Sequence, residues 1–127
     1  MNNLFAVAAG GAIGAIGRYI LSHWALAQME ASRFPLGTFM VNLIGCLLVG
    51  VLAGLMSKYQ PFSEQLRLFL FVGLAGGFTT FSAFGLETFE LIRRDQWSIA
   101  VLYVAASVGL GVLLVVAGFV MTAGGHR

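Results

Sequence analysis

Four apolar stretches, joined by short polar segments, occupy almost the whole sequence, at about 4–27, 36–57, 66–92 and 97–123. A helix needs about 20 apolar residues to cross the hydrocarbon core of a bilayer, and every stretch reaches that length. In lipid every backbone N–H and C=O must be satisfied internally, and runs this long satisfy them as α-helices. The expected fold is therefore all-α, a single domain over residues 1–127 with four transmembrane helices. The first stretch is interrupted by Arg18 and His23, and the second opens behind Pro35, a residue suited to a helix start. The third is the most polar, and the fourth carries no charge. Segments 28–35, 58–65 and 93–96 hold both prolines and most of the charges, with no low-complexity tract and no second domain.

Composition excludes the soluble alternatives. Only 9% of the 127 residues are charged, against about 25% in a soluble domain. A water-soluble enzyme, a nucleic-acid binder and a disordered chain are all excluded on that basis. The net charge of +2 reflects Lys and Arg flanking the spans, not a DNA-binding surface. The lone Cys46 lies in an apolar run and is expected to be a buried structural thiol. No cleavable signal peptide is expected, because Met1-Asn2-Asn3 lacks a positive leader and the Ala25-Leu26-Ala27 match is unremarkable in so Ala-rich a chain. Four short helices enclose little interior, so a partner chain is expected for any pore or pocket.

With four spans both termini lie on one side of the membrane. That side holds Lys58, Arg67 and Arg127, and the other holds Arg33, Arg93 and Arg94. Lys and Arg set orientation, and this balance gives the inserting machinery almost no preference. One inference is dual topology, with oppositely oriented copies paired about a two-fold axis in the membrane plane. The other is a weak bias resolved by some further cue.

The chain has 17 glycines, among them the GxxxG pairs Gly10/Gly14 and Gly50/Gly54. Small residues let helices approach closely in lipid, so most of these glycines are read as packing. The third stretch reads Gly76-Gly77-Phe78-Thr79-Thr80-Phe81-Ser82-Ala83-Phe84-Gly85-Leu86-Glu87. Adjacent glycines followed by β-branched threonines are poor helix material. A helix broken there would free carbonyls that must be buried or satisfied by an ion. A continuous helix with a glycine contact face is the competing reading.

Polar groups at membrane depth each ask for a partner or a pathway. Thr38 and Asn42 are four apart on one helical face, as are Tyr103 and Ser107, with Gly111 one step further. They read either as donors along an anion route or as interhelical hydrogen bonds. Phe78, Phe81 and Phe84 have positive ring edges that could hold an anion without a fixed charge. A fixed charge would hold it too tightly to release. Glu90 and Arg94 have salt-bridge spacing. Glu87, deeper and on one face with Thr80, could be a gate, a proton carrier or a partner of Arg18. Arg18 could be a vestibule charge or an interfacial anchor. No HExxH, Cys pair, G-x-S-x-G or phosphate loop is present, so no enzyme activity is expected.

Taken together these segments resemble the Fluc/CrcB fluoride channels. Gly76 to Glu87 resembles their third-span signature, Gly37 to Gly45 their second-span motif, and Gly10 to Arg18 their first-span glycine run ending in arginine. The resemblance covers essentially the whole chain in length, span count and motif order. It implies a third helix broken near its middle and an antiparallel, dual-topology homodimer with two fluoride pathways. It implies a structural Na⁺ at the dimer interface, held by backbone carbonyls of Gly76 and Thr79. The implied pathway residues are Asn42, Thr80, Phe81, Ser82, Phe84, Glu87, Tyr103 and Ser107, with Arg18 in the vestibule. Ala83, Gly85 and Gly111 stand where relatives often carry Thr, Ser and Ser.

The expected function is passive export of cytoplasmic fluoride across the cell (inner) membrane, conferring fluoride resistance. Fluoride is small and strongly hydrated, so hydroxyls, an amide and ring edges would replace its water while letting it leave. HF enters neutral and ionises inside, and the inside-negative potential then expels the anion. The alternative is a small proton-coupled multidrug-type antiporter. Those proteins resemble one another in a first-span glutamate, and this first span has no carboxylate. A non-transporting helper subunit is a third possibility.

Overall fold

The computed structural model describes residues 2–28, 34–59 and 62–124. Arg33 and Arg127 of the charge balance lie outside these residues. The described chain is helical throughout, with α1 at Asn2–Gln28, α2 at Leu36–Lys58 and α6 at Trp97–Ala123. Between α2 and α6 the third span is built in pieces: α3 at Glu64–Arg67, a π-helix at Leu68–Ala75, α4 at Gly76–Phe78 and α5 at Phe81–Arg93. Four segments are long and apolar enough to cross a membrane: Asn2–Ala25, Leu36–Lys58, Glu64–Arg93 and Trp97–Ala123. The protein is thus a multi-pass membrane protein, with span limits within a few residues of those read from hydropathy.

Local chemistry sets the helix ends. Ser63 caps α3 by accepting from the Leu66 N–H at 3.1 Å. The α5–α6 turn closes through Gln96 N–H to Leu91 C=O at 2.8 Å, with Asp95 at φ 59° supplying the left-handed residue. Gly124, at φ 69°, ends α6 in the left-handed conformation that glycine adopts without steric cost. The π-helix is not legible in the sequence. It shows where the Gly76 N–H reaches back five residues to the Phe71 carbonyl.

Two close seams hold the spans together, α1 against the third span and α2 against α6. Both run along glycines. A Cβ on Gly73 would lie 2.9 Å from Gly10 Cα, and one on Gly77 would lie 2.6 Å from the Gly11 carbonyl oxygen. A Cβ on Gly118 would lie 2.7 Å from the Leu47 oxygen and the Val51 nitrogen. Backbones this close gain dispersion contacts that side chains would prevent. Across the α2–α6 seam the Thr122 hydroxyl donates to the Val51 carbonyl at 3.0 Å. The packing role read for the glycines holds at these positions, whereas Gly85 and Gly109 face open space.

Few side chains are fully buried. Tyr103 and Val41 are the largest, while Ile13, Phe89, Val112 and many other apolar residues lie exposed. That inside-out distribution suits a chain whose outer solvent is lipid.

Candidate functional site

The site forms where the third span stops being helical. α4 ends at Phe78, and Thr79 (φ −84°, ψ 156°) and Thr80 (φ −145°, ψ 116°) are extended before α5 begins. Neighbouring spans replace the helical hydrogen bonds that these residues forgo. In a continuous helix the Thr80 N–H would donate to the Gly76 carbonyl. Here it donates to Asn42 Oδ1 at 2.8 Å, while Asn42 Nδ2 donates to the Thr80 carbonyl at 3.0 Å. Asn42 therefore pairs with Thr80 as one extended strand residue pairs with another. The Ala83 N–H, which would reach Thr79 in a continuous helix, donates to the Thr80 hydroxyl at 3.2 Å instead. Thr80 is thus the N-cap of α5. From α1, Arg18 Nε–H donates to the Gly77 carbonyl at 3.2 Å.

Close packing brings these partners within reach. Gly77 has no room for a side chain against α1. On the α2 side, Gly45 lies against the Thr79 methyl group and the Phe78 ring. Glycines on both flanking helices let α1 and α2 close on the extended pair.

Beside the extended pair lies a groove of about 340 Å³, open on one side. Asn42 and Cys46 of α2, Thr79, Thr80, Phe81 and Phe84 of the third span, and Ser107 of α6 contribute to its lining. Among the described residues, no charged one lines it. Phe81 leaves 84% of its surface exposed, and its ring lies 5.7 Å from that of Phe84. Phe84 in turn packs on the buried Tyr103 ring at 5.0 Å. Phe34 and Phe39 complete this aromatic cluster. Ser107 Oγ is buried with no hydrogen-bond partner among the described residues, whereas the buried Tyr103 hydroxyl lies beside the Glu87 carboxylate and the Thr38 hydroxyl. A buried hydroxyl without a partner is uncommon and points to a ligand or water.

Of the residues singled out from sequence, Asn42, Thr79, Thr80, Phe81, Phe84 and Ser107 converge on the groove, while Gly76, Ser82, Glu87, Tyr103 and Arg18 lie outside its lining. The exposed Ser82 sits 3.4 Å from the Thr80 hydroxyl. Glu87 is half-buried and accepts a hydrogen bond from Thr38. A Glu87–Arg18 pair does not form, because Thr38 engages the carboxylate and Gly77 engages the guanidinium. Cys46 is a correction: its thiol is only half-buried and belongs to the groove lining, because the facing Gly111 has no side chain to cover it. Sequence reasoning placed Thr38 and Asn42 on one face of α2 but missed their partners, the third-span residues Glu87 and Thr80. The matched polar pairs on two helices were the available signal. Glu90 pairs with Arg94 at 3.9 Å as its spacing predicts, and with Arg93 at 3.2 Å.

Four apolar spans, three of which line a polar-edged groove, define a multi-pass membrane protein with a candidate route for a small solute. The chain belongs to the CrcB family, since residues 5–119 match the family described as CrcB-like protein, Camphor Resistance (CrcB). It is 50% identical over 119 residues to a protein of Methylobacillus flagellatus named fluoride-specific ion channel FluC, covering 94% of this chain and 93% of that one. A protein of the same name from Chloroflexus aurantiacus is 48% identical over 118 residues, covering 93% of each chain. A third of that name, from Rhizobium johnstonii, is 48% identical over 112 residues, covering 88% of this chain and 89% of that one.

Proposed function

We propose that this protein is a fluoride-selective passive channel that exports cytoplasmic fluoride across the cell (inner) membrane. The observation that carries the proposal is the groove, in a chain half identical to proteins named for fluoride conduction. Its chemistry suits a small, strongly hydrated anion. Among the described residues, the Ser107 hydroxyl has no partner and Asn42 keeps one amide hydrogen free after bonding Thr80. Phe81 and Phe84 offer positive ring edges. With no fixed charge in the lining, binding stays weak enough for release. We assign the route to Asn42, Thr80, Phe81, Phe84 and Ser107, continued by Ser82, Glu87 and Tyr103, with Arg18 in a vestibule. The driving force is the membrane potential, about 2.3 kcal/mol per charge per 100 mV.

The groove is open on one side in a single chain, which favours completion by a second copy. The balanced Lys and Arg of the loops favours an inverted copy, giving a dual-topology homodimer with two routes. In this reading the third helix is broken at Thr79–Thr80 to supply a structural Na⁺ site. The donor set fits. The Thr80 and Ala83 N–H groups that would engage the Gly76 and Thr79 carbonyls in a continuous helix are diverted to Asn42 and to the Thr80 hydroxyl. Two hard carbonyl oxygens per chain suit an alkali cation. Bound there, Na⁺ would neutralise the exposed carbonyls, while the chain's own residues hold the break open and conduct the anion.

Purified protein in liposomes is expected to release fluoride far faster than chloride, in Na⁺ but not after Na⁺ removal. Equal release of the two anions, or none, would sink the channel reading. Release without Na⁺ would remove the cation and leave the channel.

A further inference from the structure

Two side chains from different neighbouring spans donate to carbonyls at the break. Asn42 of α2 takes Thr80, and Arg18 of α1 takes Gly77. The carbonyls of Gly76 and Thr79, the pair assigned to the cation above, are those whose helical donors, the Thr80 and Ala83 N–H groups, are diverted elsewhere. The two side-chain donors differ in charge. Asn42 is neutral, whereas Arg18 carries a full positive charge to the residue next to Gly76.

No ion pair among the described residues compensates that charge. The ion pairs among the described residues all involve Glu90, and none reaches Arg18. The guanidinium is only part-buried, in a region of reduced dielectric where charges interact more strongly than in water. It also lies at the C-terminal end of α4, where the last carbonyls carry partial negative charge. A cation at Gly76 and Thr79 would draw on the same negative end. Two positive groups therefore share one helix terminus.

We propose that Arg18 is a positioning residue for the break, pinning the Gly77 carbonyl and holding down, through its charge, the affinity of the adjacent Gly76–Thr79 site for Na⁺. The glycine contacts around Gly77 keep the α1 backbone close enough for the side chain to reach. This proposal rests on the cation site proposed above.

The test is the melting temperature of the purified dimer in detergent, titrated with NaCl against choline chloride at constant ionic strength. Wild type should be stabilised by Na⁺ with a measurable midpoint. No Na⁺ effect in wild type would overturn the cation reading itself and the role of Arg18 with it. Arg18→Gln keeps a donor for Gly77 and removes the charge, so its midpoint should fall about tenfold. Arg18→Lys keeps the charge and should stay within about twofold of wild type. An unchanged or raised midpoint in Arg18→Gln, or an equal fall in Arg18→Lys, overturns the proposal while leaving the cation site standing. If Arg18→Gln does not yield a folded dimer, Arg18→Lys decides alone, and a shift beyond about threefold overturns it.

Discussion

Phe81 illustrates how one residue can be exposed for a reason. A phenylalanine that leaves 84% of its surface uncovered contributes little to the fold of a single chain. Its ring meets Phe84 in the lining of the groove, along the proposed route. Phe81→Ile should therefore nearly abolish fluoride efflux from liposomes. It should change unfolding stability by no more than about 0.5 kcal/mol, as is usual for exposed sites. Unchanged efflux would take the ring out of the route. Asn42 is the opposite case, a polar residue whose amide is largely committed to structure. Asn42→Leu would leave the Thr80 N–H without a partner, at a cost of about 1–3 kcal/mol, while the Thr80 carbonyl keeps its bond in the first turn of α5. Unfolding of the purified protein should show that loss; a variant as stable as the parent would mean that Asn42 does not hold the extended pair.

At the scale of elements, the third span is where the reading of the sequence stops short. Its glycines and threonines allow either a broken or a continuous helix, since isolated propensities differ by about 1 kcal/mol at most for these residues. The deciding contacts come from outside the span. Asn42 supplies the donor and the acceptor for Thr80, Arg18 takes Gly77, and Gly10, Gly14 and Gly45 let the flanking helices close in. The π-helix over Leu68–Ala75 is illegible for the same reason, because its eight residues read as an ordinary apolar run. The limits of α2 and α6 were legible, because the change from apolar to polar residues, and Pro35 at the start of α2, mark them locally.

At the scale of the whole molecule, the loops and the open groove bear on assembly. Lys and Arg are balanced across the membrane, and the groove lacks a wall on one side. A single cysteine placed at a terminus of a Cys46-free protein should be labelled from both faces of the cell membrane. Labelling from one face alone would refute dual topology and leave the parallel arrangement. Because the route would lie along the interface between copies, dilution that separates the dimer should abolish conduction without unfolding the helices.

The sequence by itself determined that this is a four-span helical membrane protein, because span length and apolar content are local quantities and lipid tolerates few alternatives. Its motifs also carried the resemblance that family membership then made firm. Only the tertiary structure decided which polar groups meet. Thr38 with Glu87, Asn42 with Thr80 and Arg18 with Gly77 are each separated by at least 38 residues along the chain. Such pairings depend on which helix faces pack together, and that is set by glycine seams whose partners no single helix reveals. What first reads as three stray polar groups in apolar spans is, in the folded chain, the set of contacts that holds the third span in its broken form.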